Sequence, residues 1–230
     1  MKLSCRLETI ASFVHEGSRI ADIGTDHGYI PIYLVHKNIA ISGLAMDVRK
    51  GPLKRAETHV KEWGLDDKIS VRISDGLMEL RPDEADTVII AGLGGELLMQ
   101  IMEQGRHVWD GVEHWVLSPQ SYIGEVRHFL AENGFLIVRE SMVEEEYKYY
   151  TIMEAVHGSM IYEKESYYEY GKSLIVEKNP ILKEFLQKER RKISRIVNSL
   201  KEQSTENAEK RLPEMVEKLQ VIEEAYDEMQ

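Results

Sequence analysis

Ala21-Asp22-Ile23-Gly24-Thr25-Asp26-His27-Gly28-Tyr29 closes an apolar run, Arg19–Ile23, and opens a segment of helical length. Strand, glycine turn and helix in that order form the unit that holds a nucleotide in α/β proteins. Glycine lets the backbone approach a ligand closely and takes dihedrals closed to other residues. The spacing here is Gly-x-x-x-Gly, not the dinucleotide fingerprint Gly-x-Gly-x-x-Gly. Asp26 stands where a pyrophosphate would lie, and a carboxylate there repels phosphate. Asp22 and Asp26 therefore suit a cationic ligand with an amino-acid moiety, S-adenosylmethionine, far better than NAD.

Acids recur at matching places along the chain. Asp47 ends the second apolar run, 23 residues after Gly24, where a carboxylate can accept hydrogen bonds from both ribose hydroxyls. Ser74-Asp75-Gly76 follows the third, where Asp75 can accept from an adenine amino group, although an aspartate there is also a common helix cap. The fourth run, Asp86 to Ala91, leads into Gly92-Leu93-Gly94-Gly95. The candidate cofactor set is Asp22, Gly24, Thr25, Asp26, His27, Gly28, Asp47, Val48, Asp75, Gly76, Ala91 and Gly92. Three glycines after the fourth run either turn the chain tightly or clear space for a flat base. The following helix needs only one, which favours the base. Gly92, Leu93, Gly94, Gln120 and Tyr149 are the base-pocket candidates, with no general base among them. His27, Tyr29 and Tyr149 are stacking candidates, with ordinary packing as the alternative.

The apolar runs Arg19–Ile23, Ile41–Met46, Ile69–Ile73, Thr87–Ala91 and His114–Leu117 are separated by helix-length segments. Parallel strands with right-handed crossovers are the economical topology, and the fold class is a Rossmann-like α/β sheet. Phe135–Val138 and Tyr149–Ala155 are joined by only a charged stretch, which predicts an antiparallel edge hairpin. Beyond Asn179-Pro180 the pattern turns helical: Leu182, Phe185, Leu186, Ile193, Ile196, Val197 and Leu200, then Leu212, Met215, Val216, Leu219, Ile222 and Tyr226. The polar interruption Gln203–Asn207 predicts an antiparallel, coiled-coil-like pair. The expected domains are 1–160 and 161–230.

With 230 residues, 43% hydrophobic, the chain is too apolar for disorder. A single cysteine, Cys5, excludes an internal disulfide framework and a cysteine-based zinc cluster, and no metal is expected. No apolar run approaches the ~18 residues of a membrane span. The N-terminus lacks the apolar core of a signal peptide, so the expected location is the cytoplasm. Net charge is −11, yet residues 183–211 carry nine Lys/Arg against five Glu, and 212–230 carry six acids against one lysine. Paired charge across the helices is one reading; a nucleic-acid-facing helix is the other.

Leu3-Ser4-Cys5-Arg6-Leu7, Asp22 to Tyr29, Ala91-Gly92-Leu93-Gly94-Gly95 and Glu144-Glu145-Glu146-Tyr147-Lys148-Tyr149-Tyr150 resemble the TrmK family, and the resemblance extends over nearly the whole chain. The resemblance implies a methyltransferase domain with a C-terminal coiled-coil domain. It further implies S-adenosylmethionine-dependent methylation of N1 of adenine 22 in tRNA. The cofactor motifs leave the acceptor open, so a protein or small-molecule methyltransferase, or a cofactor-sensing interaction module, stands beside that reading. If tRNA is the partner, the candidate grip is Lys188, Arg190, Arg191, Lys192 and Arg195 with Arg49, Lys50, Lys54 and Arg55 near the rim. Lys188, Arg191, Lys192 and Arg195 share one helical face. A monomer is expected.

Overall fold

The computed structural model describes residues 1–203 and 205–230; Ser204, within the polar interruption of the tail, lies outside the described residues. The chain divides into two compact units, Met1–Met160 and Ile161–Gln230.

The first unit is built on a seven-stranded sheet of order β3-β2-β1-β4-β5-β7-β6. Its strands are β1 (Ser18–Ile23), β2 (Ala40–Asp47), β3 (Ile69–Ile73), β4 (Thr87–Ala91), β5 (His114–Ser118), β6 (Phe135–Glu145) and β7 (Lys148–His157). The first five are parallel, and β7 runs antiparallel to both β5 and β6. Helices α1 (Cys5–Ala11), α2 (Tyr29–His36), α3 (Lys50–Glu62), α4 (Gly95–Gln104) and α5 (Ile123–Glu132) surround it, with a 3₁₀ turn at Arg106–Gly111. The central strands are largely apolar because both faces are covered: Ile20, Ala21, Ile23, Val88, Ile89 and Ile90 are all buried. The chain leaves β1 toward β2 and β3, then returns to β4 on the other side. That reversal opens a crevice at the carboxyl ends of β1 and β4.

The hairpin is present, but the charged stretch is strand, not connection. β6 runs to Glu145, and the turn is only Glu146-Tyr147, both in the left-handed region at φ 51° and 63°. Two features hide this strand in the sequence. The register shifts between Ile137 and Arg139, so Val138 is an extra residue and the faces exchange. Glu140 then points inward and pairs with Arg127 at 2.8 Å, both side chains essentially inaccessible. A second buried carboxylate, Glu154 of β7, accepts from His15 Nε2 at 2.7 Å and His114 Nδ1 at 2.8 Å, both onto Oε1. The two imidazoles lie 4.2 Å apart. These are hydrogen-bond lengths to a single shared oxygen.

The second unit holds α6 (Glu165–Tyr170), α7 (Lys172–Val176), α8 (Pro180–Lys201) and α9 (Glu206–Glu228). Asn179 caps α8 by accepting from the amides of Ile181 and Leu182, with Pro180 at the first helical position. Gln187 donates to the Tyr226 hydroxyl at 3.0 Å and Lys183 to the Met229 carbonyl at 3.3 Å. The start of α8 thus meets the end of α9, and the pair is antiparallel. Leu182, Leu186, Ile193 and Val197 are buried from α8, and Met215, Ile222 and Ala225 from α9. α9 begins at Glu206, capped by Thr205, so Pro213 lies inside it and Lys210 and Arg211 belong to α9. The short helices α6 and α7 carry no apolar periodicity that announces them. Tyr167 and Lys164 anchor this segment to Glu228, at 2.6 and 2.5 Å. Among the described residues, no helix is long and apolar enough to cross a membrane.

Candidate functional site

Local chemistry shapes the loop after β1. Gly24 (φ 76°), His27 (φ 64°) and Gly28 (φ 68°) all take left-handed backbone, and His27 does so despite its side chain. The amides of Gly24 and Thr25 donate to the Met46 carbonyl at 2.8 and 2.9 Å, tying the loop to the end of β2. A cavity of about 390 Å³ opens above it. Its walls are Asp22, Gly24, Thr25, Asp26, His27, Tyr29, Ile30 and Arg49 on one side, and Ala91, Gly92, Leu93 and Gln120 on the other, with Arg6 and Leu7 from α1.

Three carboxylates give this rim its charge. Asp22 is buried, and burial pushes its carboxyl up to about 6; the Thr25 hydroxyl opposes the rise and the Asp47 carboxylate adds to it. Asp47, also buried, accepts from the Arg49 amide at 2.7 Å and from Arg49 Nε at 3.2 Å. Asp26 is exposed: its slight burial works upward, but Arg55 at 2.7 Å, with His27 and Arg49 nearby, holds it below the usual carboxylate range. Beside it the rings of His27, Tyr29 and His59 lie nearly parallel, with centroids 5.0, 5.4 and 5.7 Å apart, and His59 Nδ1 donates to the His27 carbonyl.

Several sequence candidates stand elsewhere. Gly28 caps α2, and a Cβ there would sit 3.3 Å from Ala56 Cβ, so it serves the packing of the loop on α3. Asp47 and Val48 flank the cavity without lining it, and Val48 is exposed. Asp75 is exposed one strand further out, while Gly76 is buried against Ile101. The glycines after β4 divide. Gly92, at φ 81°, faces the cavity, and a Cβ on it would lie 3.5 Å from Arg6 Nη1 and 3.8 Å from Gln120 Nε2. Gly94 instead faces Ser121 Oγ at 3.3 Å, and a Cβ on Gly95 would overlap the Ser121 carbonyl. Gly94 therefore packs toward Ser121 and is not among the cavity walls. Tyr149 is absent from the walls as well; its strand neighbour Tyr150, whose side chain leaves the opposite face, lies 4.9 Å under the Arg6 guanidinium.

The cations also sort. Arg49 and Arg55 are already paired with Asp47 and Asp26. Lys50 and Lys54 line a groove of about 680 Å³ along α3 and β3. On α8, Lys188, Arg191, Lys192 and Arg195 are exposed, Lys188 with Glu184 at 2.6 Å and Lys192 with Glu189 at 3.1 Å. Arg190 does not share that face: its guanidinium lies 4.5 Å over the Tyr226 ring of α9.

Arg6 and Leu7 are wall residues that the sequence motif contains without revealing their role. Glu145, at the end of β6, accepts from the Arg6 amide at 3.1 Å and from Ser4 Oγ at 3.2 Å, which fixes the start of α1; those bonds keep its carboxyl below the usual range.

Residues 20–224 match the family of tRNA (adenine(22)-N(1))-methyltransferases called TrmK. The chain is 31% identical over 237 aligned residues to the tRNA (adenine(22)-N(1))-methyltransferase of Bacillus subtilis, covering 99% of this chain and 98% of that protein. Among solved structures, Streptococcus pneumoniae Sp1610 in complex with S-adenosyl-L-methionine superposes with a TM-score of 0.88 at 34% identity, covering 98% of this chain and all of that one. Mycoplasma capricolum TrmK in complex with S-adenosyl-homocysteine does so with a TM-score of 0.87 at 25% identity, covering both chains fully.

Proposed function

The chain belongs to the TrmK family, and we propose that it transfers a methyl group from S-adenosylmethionine to N1 of adenine 22 in tRNA. The observation that carries the reading within the fold is the cavity at the β1–β4 reversal, with a buried carboxylate on one wall and a side-chain-free Gly92 on the other. The acceptors on and beside its walls suit the cofactor. Asp22 and Asp26 offer acceptors to an ammonium group, Asp47 offers acceptors to ribose hydroxyls, and Gly24 keeps the backbone bare.

S-adenosylmethionine supplies an electrophilic methyl on a sulfonium. The protein's own work is then positioning. Adenine N1 carries an in-plane lone pair and no hydrogen, so no residue has to remove a proton for the bond to form. That accounts for a site without a nucleophile–base pair. Alignment and exclusion of water supply the acceleration. N1 lies on the pairing edge, so the adenine has to be unpaired or turned out of its helix. Gln120 suits the opposite edge: an amide can accept from N6 and donate to N7, leaving N1 clear. Gly92 and Leu93 complete the base pocket.

In this reading residues 1–160 bind cofactor and base, while residues 161–230 add tRNA affinity through the exposed face of α8. Lys50 and Lys54 contribute near the rim. The protein works as a cytoplasmic monomer. A transcript of the cognate tRNA incubated with labelled cofactor tests the reaction: label is expected at one nucleotide, adenine 22, as 1-methyladenine. Label on protein that survives ribonuclease, or on another nucleotide, would overturn it.

A further inference from the structure

Arg6 is held from two directions. Glu145 grips its amide, and Tyr150 supports its guanidinium from below at 4.9 Å. The side chain so fixed reaches the cavity wall over Gly92, with Gln120 Nε2 beside it. Its Nε is buried and has no hydrogen-bond partner among the described residues. Glu145 is engaged through the main chain of Arg6, so it leaves this nitrogen unsatisfied. A permanently charged, planar donor group with a buried N–H to fill matches an oxyanion.

Two oxyanions can reach this cavity: a phosphate of the RNA and the carboxylate of the cofactor's methionine. Position favours the first. Arg6 stands over Gly92 and next to Gln120, at the ends of β4 and β5, whereas the atoms nearest a Cβ on Gly24 would be those of Leu93, not of Arg6. The charge of the product argues the same way. Methylated N1 is cationic, so a guanidinium is disfavoured against the base itself and is better placed on the backbone.

We propose that Arg6 is a positioning residue that binds a phosphate flanking the target adenosine and so sets the base over Gly92. This rests on the tRNA reading above. The test pairs Arg6→Gln with tRNA transcripts in which one flanking phosphate is replaced by an uncharged methylphosphonate. Removing a charged hydrogen bond from either side is expected to lower kcat/KM roughly tenfold or more. Combined, the two changes are expected to do little more than either alone, and Arg6→Lys should recover part of the loss. Cofactor affinity, read by calorimetry, should stay at the wild-type value. Independent, multiplying losses at both flanking phosphates would overturn the proposal. So would a fall in cofactor affinity in Arg6→Gln, which would assign the side chain to the methionine carboxylate. A wild-type protein that leaves the unmodified transcript unmethylated overturns the tRNA reading together with this one, whereas normal wild-type turnover with independent losses overturns Arg6 alone.

Discussion

Burial around Asp22 works against its charge. Its carboxyl ionises at 3.8 in an unfolded chain and at about 6 in the fold. Between those values the folded state holds the extra proton, so stability falls as pH rises through the window, by about 3 kcal/mol in all. Denaturant titrations below and above it should show that fall, and Asp22→Asn should flatten it. A cationic ligand needs the ionised form. Cofactor affinity is therefore expected to rise with pH through about 6 in the wild type, and to be weaker and level in Asp22→Asn; a level wild-type profile in calorimetry would remove Asp22 from the site. Asp22 is legible in sequence because a carboxylate at a strand end before a glycine turn has few other uses. Arg6 is not, since its place depends on Glu145 and Tyr150, residues far along the chain. Nor does sequence separate Gly92 from Gly94: the same residue type serves a positive φ in one and contact with Ser121 in the other.

Among the elements, β6 departs most from its sequence reading. A run with Arg139, Glu140, Glu144 and Glu145 resembles a loop because charge is normally solvated, but Glu140 is neutralised inside by Arg127 and the bulge at Val138 breaks the alternation. Removing one member of a buried pair strands the other. Glu140→Ala is thus expected to lose about 3–5 kcal/mol in urea unfolding, and the double change Arg127→Met with Glu140→Leu much less. The parallel strands are legible in the sequence, since strands covered on both faces are nearly continuous apolar runs. The apolar periodicity of α9 begins only at Leu212. Its polar first turns are set by the Thr205 cap, a signal that apolar spacing does not contain.

For the molecule as a whole, acidity and a polyanionic partner are reconciled by segregation. α8 carries seven Lys/Arg against two Glu, while α9 carries three against eight acids. Charge reversal at Arg191 and Arg195 is expected to weaken tRNA binding and make its salt dependence shallower by about 1–2 in log–log slope, with cofactor binding unchanged. Filter-binding over a salt series checks it; wild-type affinity at low salt would exclude this face. The pairing of Arg49 with Asp47 has a further consequence for the order in which ligands arrive. In the proposed mode of binding, ribose hydroxyls on Asp47 would compete with the Arg49 side chain, which is 69% exposed and able to turn outward. A loaded protein then presents one more unneutralised cation to RNA than an empty one. The two ligands should therefore assist each other, with tRNA binding more tightly when S-adenosyl-homocysteine is present. Either Arg49→Ala or Asp47→Ala should abolish that cooperativity, so that each ligand binds as though the other were absent.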